Sequence, residues 1–168
     1  MKNILALIHL PPPIHGASLT GDKIRIFLKQ HFILEIQRQS LKNNTNDNAG
    51  FNHVIVLINK IFKLFKNLVF NNYDIIYITP SSNGITVLRD LLYIWMIKSL
   101  TKSRLIIHFH SNGYFLNKYI PKIIKERTLN NSTILVPSHS TKMEIEQFNL
   151  KNVKIEILYG YVNSFDID

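Results

Sequence analysis

The sequence predicts an α/β fold, a doubly wound, mostly parallel six-stranded Rossmann-like sheet. Three observations carry that prediction. Short runs rich in β-branched and aliphatic residues recur at 4–10, 33–39, 74–79, 104–110, 133–136 and 154–158. Between them lie five stretches with helical spacing of apolar residues, so that strand and helix alternate. Several runs end in Pro, Ser, Asn or Gly, as strands do where they turn into the ligand-facing loops of an open sheet.

Taken in order, 4–10 is an apolar run of strand length, ended by Pro11, Pro12 and Pro13, which cannot continue a hydrogen-bonded ladder. An amphipathic helix follows over 19–28, with Ser18 as its expected N-cap. Segment 33–39 alternates weakly and is assigned as the second strand. The polar stretch 43–50, Asn, Thr, Asp and Gly throughout, reads as a mobile loop. Over 52–70 the spacing is helical, with Asn59, Lys60, Lys63, Lys66 and Asn67 on one side and Val54, Leu57, Ile58, Ile61, Phe62, Leu64, Phe65, Leu68 and Val69 opposite. Segment 74–79 is a buried strand closed by Pro80. The helix over 84–102 has Arg89, Asp90 and Tyr93 on one flank and Leu88, Leu91, Leu92, Trp95 and Met96 on the other, which assigns Trp95 to the core. Strand 104–110 ends at Ser111, a helix is expected from about 119 to 129, and 133–136 is a strand broken by Pro137. Thr141 and Glu144 have capping-box spacing and open a helix ending near Gln147. Segment 154–158 is the sixth strand.

At 168 residues the chain has the length of one domain, and 46% apolar residues suffice for a core. The net charge of +9 and a pI near 9.8 favour an anionic partner, whether nucleic acid, lipid headgroup or phosphorylated substrate. The lysines are not interleaved with aromatics in any RNA-binding pattern, so no nucleic acid is expected. Cysteine is absent, which excludes disulfides, thiolate nucleophiles and cysteine-bound zinc. The apolar runs 4–10 and 91–100 are far short of the ~20 residues a bilayer span needs, and the prolines after the first suit no signal peptide. A cytoplasmic location is expected, either free or peripheral on the inner face of the membrane through the lysine side of 52–70, with Lys60, Lys63 and Lys66 facing lipid. The alternative is that this helix covers the sheet and its lysines are solvated.

A dinucleotide fingerprint would need G-x-G-x-x-G after the first strand and an acidic residue closing the second. Here there are only Gly16 and Gly21, and Gln39 and Ser40. No Walker lysine follows a glycine loop, and Gly16, Ser18 and Gly21 miss the G-x-S-x-G elbow by one residue. In an open sheet of this type the loops at the strands' carboxyl ends bind ligand, which nominates His15, Gly16, Ala17 and Ser18, then Ser81 and Ser82, then His110, Ser111, Asn112 and Gly113. Residues 16–18 can hold a substrate phosphate or sugar, or form an ordinary tight turn. His108 and His110 share a strand face and could grip a metal, but no further ligands are visible; no metal is expected, and His108 is assigned a structural role. His110, at the strand's end, faces the crevice and can hydrogen-bond a sugar hydroxyl or phosphate oxygen.

Residues 11–18 (PPPIHGAS), 77–81 (YITPS) leading to 88–91 (LRDL), 108–113 (HFHSNG), 136–138 (VPS) and 157–162 (ILYGYV) resemble, in order and spacing, the family 4-like glycosyltransferases of the GT-B fold. The resemblance spans essentially the whole chain, 1–168, but only the amino-terminal half of such an enzyme. It implies an acceptor-side domain of a retaining hexosyl-type glycosyltransferase that takes a nucleotide-sugar donor and a glycan or lipid-linked acceptor, in bacterial surface polysaccharide or glycolipid synthesis. The resemblance further implies that the loop at Gly16 approaches the donor's phosphates, that His110 lies near the donor sugar as the catalytic side chain, and that no cofactor is needed. Many members have two glycines where this chain has His15 and Gly16, and asparagine where it has Gly160. Beyond the last strand only 159–168 remain, so the donor-binding carboxyl-terminal domain is expected to be absent, lost or supplied in trans. The competing reading is a non-catalytic Rossmann-like module that binds a phosphorylated ligand or an anionic membrane.

Overall fold

In a computed structural model, which describes residues 1–12, 14, 16–39, 51–81, 86–111 and 120–159 (the side chains of 51–53 excepted), the six strands form one sheet whose neighbours are all parallel. The elements are β1 Asn3–Ile8, α1 Gly16–His31, β2 Ile33–Arg38, α2 Phe51–Phe70, β3 Ile75–Ile78, α3 Thr86–Leu100, β4 Arg104–His108, α4 Lys122–Leu129, β5 Thr133–Val136, α5 His139–Glu146 and β6 Lys154–Ile157. Their order in the sheet is β2-β1-β3-β4-β5-β6. The chain therefore steps one way from β1 to β2 and the opposite way ever after, with the switch between β1 and β3. Right-handed crossovers then put α1 on one face of the sheet and the later helices on the other.

The packing follows that division. Ile24 and Leu28 of α1 lie against Ile4, Ala6 and Ile8. On the opposite face Leu64 and Leu68 of α2, Val87, Ile94 and Ile97 of α3, Leu129 of α4 and Ile145 of α5 cover Leu5, Leu7, Ile76, Ile78, Ile107 and Val136. Central strands buried on both faces read as unbroken apolar runs, which is why β1 and β3 stand out in the sequence.

Gly21 sets how closely α1 approaches β1. A Cβ at this position would sit 1.9 Å from the backbone oxygen of His9, so only glycine fits. Lys98 of α3 closes α4: its ammonium donates to the carbonyls of Arg127 (2.9 Å), Thr128 (2.7 Å) and Asn130 (2.6 Å), where the helix dipole favours a cation.

Four expectations need correction. The flank of α3 that enters the core carries Arg89, Asp90 and Tyr93, while Leu88 is 62% and Trp95 66% exposed. That flank can be buried because the two charges neutralise each other and satisfy loop backbone groups, which apolar periodicity does not register. The N-cap of α5 is Ser138, whose hydroxyl accepts from the Thr141 amide at 3.2 Å, so Thr141 lies inside the helix. Helix α1 begins at Gly16, which places Ser18 in its first turn, fully buried, rather than at its cap. Finally, β4 ends at His108, so His110 belongs to the loop beyond it. The expected loop at 43–50 lies outside the described residues.

Candidate functional site

The carboxyl ends of β1, β3 and β4 are adjacent in the sheet, and the loops leaving them carry the described candidates Gly16, Ala17, Ser18, Ser81, His110 and Ser111. His15, Ser82, Asn112 and Gly113 lie outside the described residues. Gly16 is exposed at the start of α1, and a Cβ there would meet no heavy atom within 4 Å. Its neighbours Ala17 and Ser18 turn progressively inward. The positive end of the α1 dipole thus lies at the same edge of the sheet as His110.

Along β4, Leu105, Ile107 and then Phe109 point into the larger core, so Ile106 and His108 point to the α1 face. His110 continues on that side, with its ring centroid 4.4 Å from that of His108. The two histidines differ in surroundings. His108 is buried, and its Nδ1 is hydrogen-bonded to the Tyr77 hydroxyl at 2.5 Å. Burial first, and the nearby His110 second, push its pKa down to about 3, so at neutral pH the ring carries no charge. Burial likewise raises the Tyr77 phenol well above its ordinary value, so it remains an O–H that can donate to an unprotonated Nδ1. His110 is half-buried, in the loop just beyond β4. His108 therefore fixes the platform on which His110 lies. Among the described residues no group of three or more His, Asp or Glu side chains converges.

The state of His108 has a measurable consequence. Its folded pKa is depressed relative to the ordinary 6.5, so the unfolded chain binds the extra proton as pH falls. The stabilising contribution is complete above about pH 6.5 and is lost progressively toward pH 3, at up to about 1.4 kcal/mol per pH unit. A His108→Asn variant keeps a hydrogen-bonding group for Tyr77 without a titrating ring. Thermal melts between pH 7 and 4 should show a shallower decline for the variant than for the wild type; equal slopes would contradict the buried neutral assignment.

Ser81 is held by a pair of residues that the sequence reading did not nominate for the site. Its backbone N–H donates to Asp90 Oδ2 at 2.7 Å, and Arg89 Nη2 approaches its hydroxyl at 3.4 Å. Arg89 Nη2 and Nε also pair with Asp90 Oδ1 at 2.7 and 2.8 Å, and Nη1 donates to the Gln39 carbonyl at 2.7 Å. Burial pushes the Asp90 carboxyl up, against the opposing pull of Arg89 and the Ser81 amide. One buried ion pair thus ties the chain leaving β2 and the chain leaving β3 to α3. The adjacent Arg-Asp pair at 89–90 was visible in the sequence, but nothing there marked it as buried.

The lysines of α2 do not share one environment. Lys60 turns to the sheet and donates to the Arg38 carbonyl at 3.1 Å, whereas Lys63 and Lys66 are exposed. The outward surface of α2 is largely apolar, with Val54, Ile55, Ile58, Phe65, Val69 and Phe62, the last 67% exposed. Among the described residues no helix is long and apolar enough to cross a membrane. No protein-family model matches this sequence, and no curated protein is significantly similar to it.

Proposed function

We propose that the chain is the acceptor-side half of a retaining glycosyltransferase, which moves a sugar from a nucleotide sugar to a glycan or lipid-linked acceptor. The observation that carries this reading is the gathering of three of the resembling segments, at Gly16–Ser18, at Ser81 and at His110–Ser111, on adjacent carboxyl ends of one parallel sheet. In this reading the amides opening α1 receive donor phosphate. His110 donates or accepts a hydrogen bond at the sugar as charge develops in the transition state, an interaction that raises turnover only if it strengthens there. The neutral, fixed His108 holds that ring in place. In an assembly with a nucleotide-sugar-binding domain, His110→Ala should lower turnover on the order of a hundredfold with little change in melting temperature. Unchanged turnover would remove His110 from the reaction.

A membrane-surface role accompanies this reading, and the α2 surface favours it. An apolar ridge bordered by Lys63 and Lys66 has the make-up of a helix that lies in an anionic lipid interface. Vesicles containing phosphatidylglycerol should co-sediment the chain, less so as salt rises and much less for Phe62→Ser. Binding that is absent at low salt, or indifferent to Phe62→Ser, would contradict docking through this ridge.

A further inference from the structure

We propose that the pocket between the end of β2 and α2 binds the phosphate group of a phosphate monoester, the chemistry shared by glycerol 3-phosphate and a phosphatidic acid headgroup. The pocket has a volume of about 440 Å³ and is lined by Leu10, Ile36, Gln37, Arg38, Lys60 and Lys63. Of these described lining residues three are cationic and none is acidic. Their positions are fixed by one another. Gln37 Nε2 donates to the Lys60 carbonyl at 2.9 Å, Lys60 Nζ donates to the Arg38 carbonyl at 3.1 Å, and Arg38 Nη2 donates to the Pro11 carbonyl at 3.0 Å. The Pro11 contact uses one end of a guanidinium that offers five N–H donors in a fork suited to phosphate. Lys63, one turn of α2 from Lys60, supplies the third cation from the solvent side.

Gln37 anchors this arrangement from within: it is only 3% exposed, its amide nitrogen fixes the Lys60 backbone, and its Oε1 is closed off from solvent. The three cations match the charge of a phosphate. Lys60 agrees with this arrangement: burial, then the positive charges of Arg89 on α3 and Arg38 on β2, hold its pKa down to about 8. A bound phosphate would relieve those repulsions and favour the protonated ammonium.

The pocket is separate from the His110 site. Its strand, β2, stands three strand spacings from β4, about 14 Å at the usual separation. Gln37 pairs in register with Leu7, whose side chain points to the α2 face, whereas His108 and His110 lie toward α1. The proposal does not rest on the sugar-transfer reading, and failure of transfer would leave it standing.

The test is calorimetric titration of the full chain at pH 7 and low salt with glycerol 3-phosphate and with inorganic phosphate, and co-sedimentation with phosphatidic acid vesicles. Arg38→Gln and Lys63→Gln should each weaken binding about tenfold, equivalent to about 1.4 kcal/mol. Lys63 is exposed, so its variant tests the pocket even if Arg38→Gln perturbs folding. Binding of the soluble ester assigns the phosphate to a small molecule, and binding of vesicles alone, lost in Arg38→Gln and Lys63→Gln but kept in Phe62→Ser, assigns it to a lipid headgroup. No binding of any probe, or binding that both cation variants retain in full, would overturn the proposal.

Discussion

Asp90→Ala should destabilise the chain by about 3–5 kcal/mol, the range found when one partner of a buried ion pair is removed. Two losses combine. Arg89, 5% exposed, would keep its charge with no carboxylate beside it, and the Ser81 amide would lose the oxygen it donates to at 2.7 Å. The remaining Arg89 contacts, to the Gln39 carbonyl and the Ser81 hydroxyl, hold the guanidinium in place and so prevent escape to solvent. Denaturant midpoints give the result directly. The double variant Arg89→Leu with Asp90→Leu should cost less than Asp90→Ala alone, because replacing both charges removes the desolvation penalty together with the attraction. A loss below about 1 kcal/mol for Asp90→Ala would show that the pair does not bind the two loops to α3.

Gly21→Ala should be at least as damaging, at about 3 kcal/mol or more, beyond the usual range for added methyl groups because backbone blocks the way. The new Cβ would stand 1.9 Å from the His9 oxygen and 3.1 Å from its carbonyl carbon, so α1 itself would have to move off β1. Gly16→Ala provides the contrast. Space around Gly16 is open and it is the first residue of α1, where alanine has no interior helix advantage over glycine, so that variant should be close to neutral. Thermal melts of the two variants side by side settle the matter; a Gly21→Ala protein as stable as wild type would mean that the α1–β1 contact is looser than described.

The strands were legible because a parallel sheet buried on both faces demands unbroken apolar runs, and β1, β3 and β5 are such runs. Even β2, with Glu35 and Gln37 in its middle, could be assigned from its place in the alternation. What the sequence concealed were interactions that reverse an element's expected orientation. Arg89 and Asp90 turn α3 so that Trp95 and Leu88 face outward. On α2, Asn67 is drawn inward by its 2.5 Å hydrogen bond to Glu35 and Lys60 by the Arg38 carbonyl, leaving Phe62 and its neighbours exposed. Periodicity sorts residues by polarity, whereas the fold sorts them by whether a partner waits inside. At the candidate site, His110 and Gly16 could be picked out from their positions after strands. That His108 and His110 lie on one face was legible from their spacing, whereas the convergence of Arg38, Lys60 and Lys63 from a strand and a helix far apart in sequence required three dimensions.

The central claim is that the carboxyl edge of this sheet is half of a sugar-transfer site, and turnover in a reconstituted site tests it most directly. The chain, joined to or mixed with a nucleotide-sugar-binding domain, would be incubated with a panel of nucleotide sugars and lipid-phosphate acceptors while nucleoside diphosphate release is followed. The account predicts acceptor-dependent release that needs both halves, falls on the order of a hundredfold in His110→Ala, and falls also in Gly16→Val, whose fold should survive because its Cβ meets open space. Release that is independent of this chain, or identical with wild-type, His110→Ala and Gly16→Val protein, would contradict it.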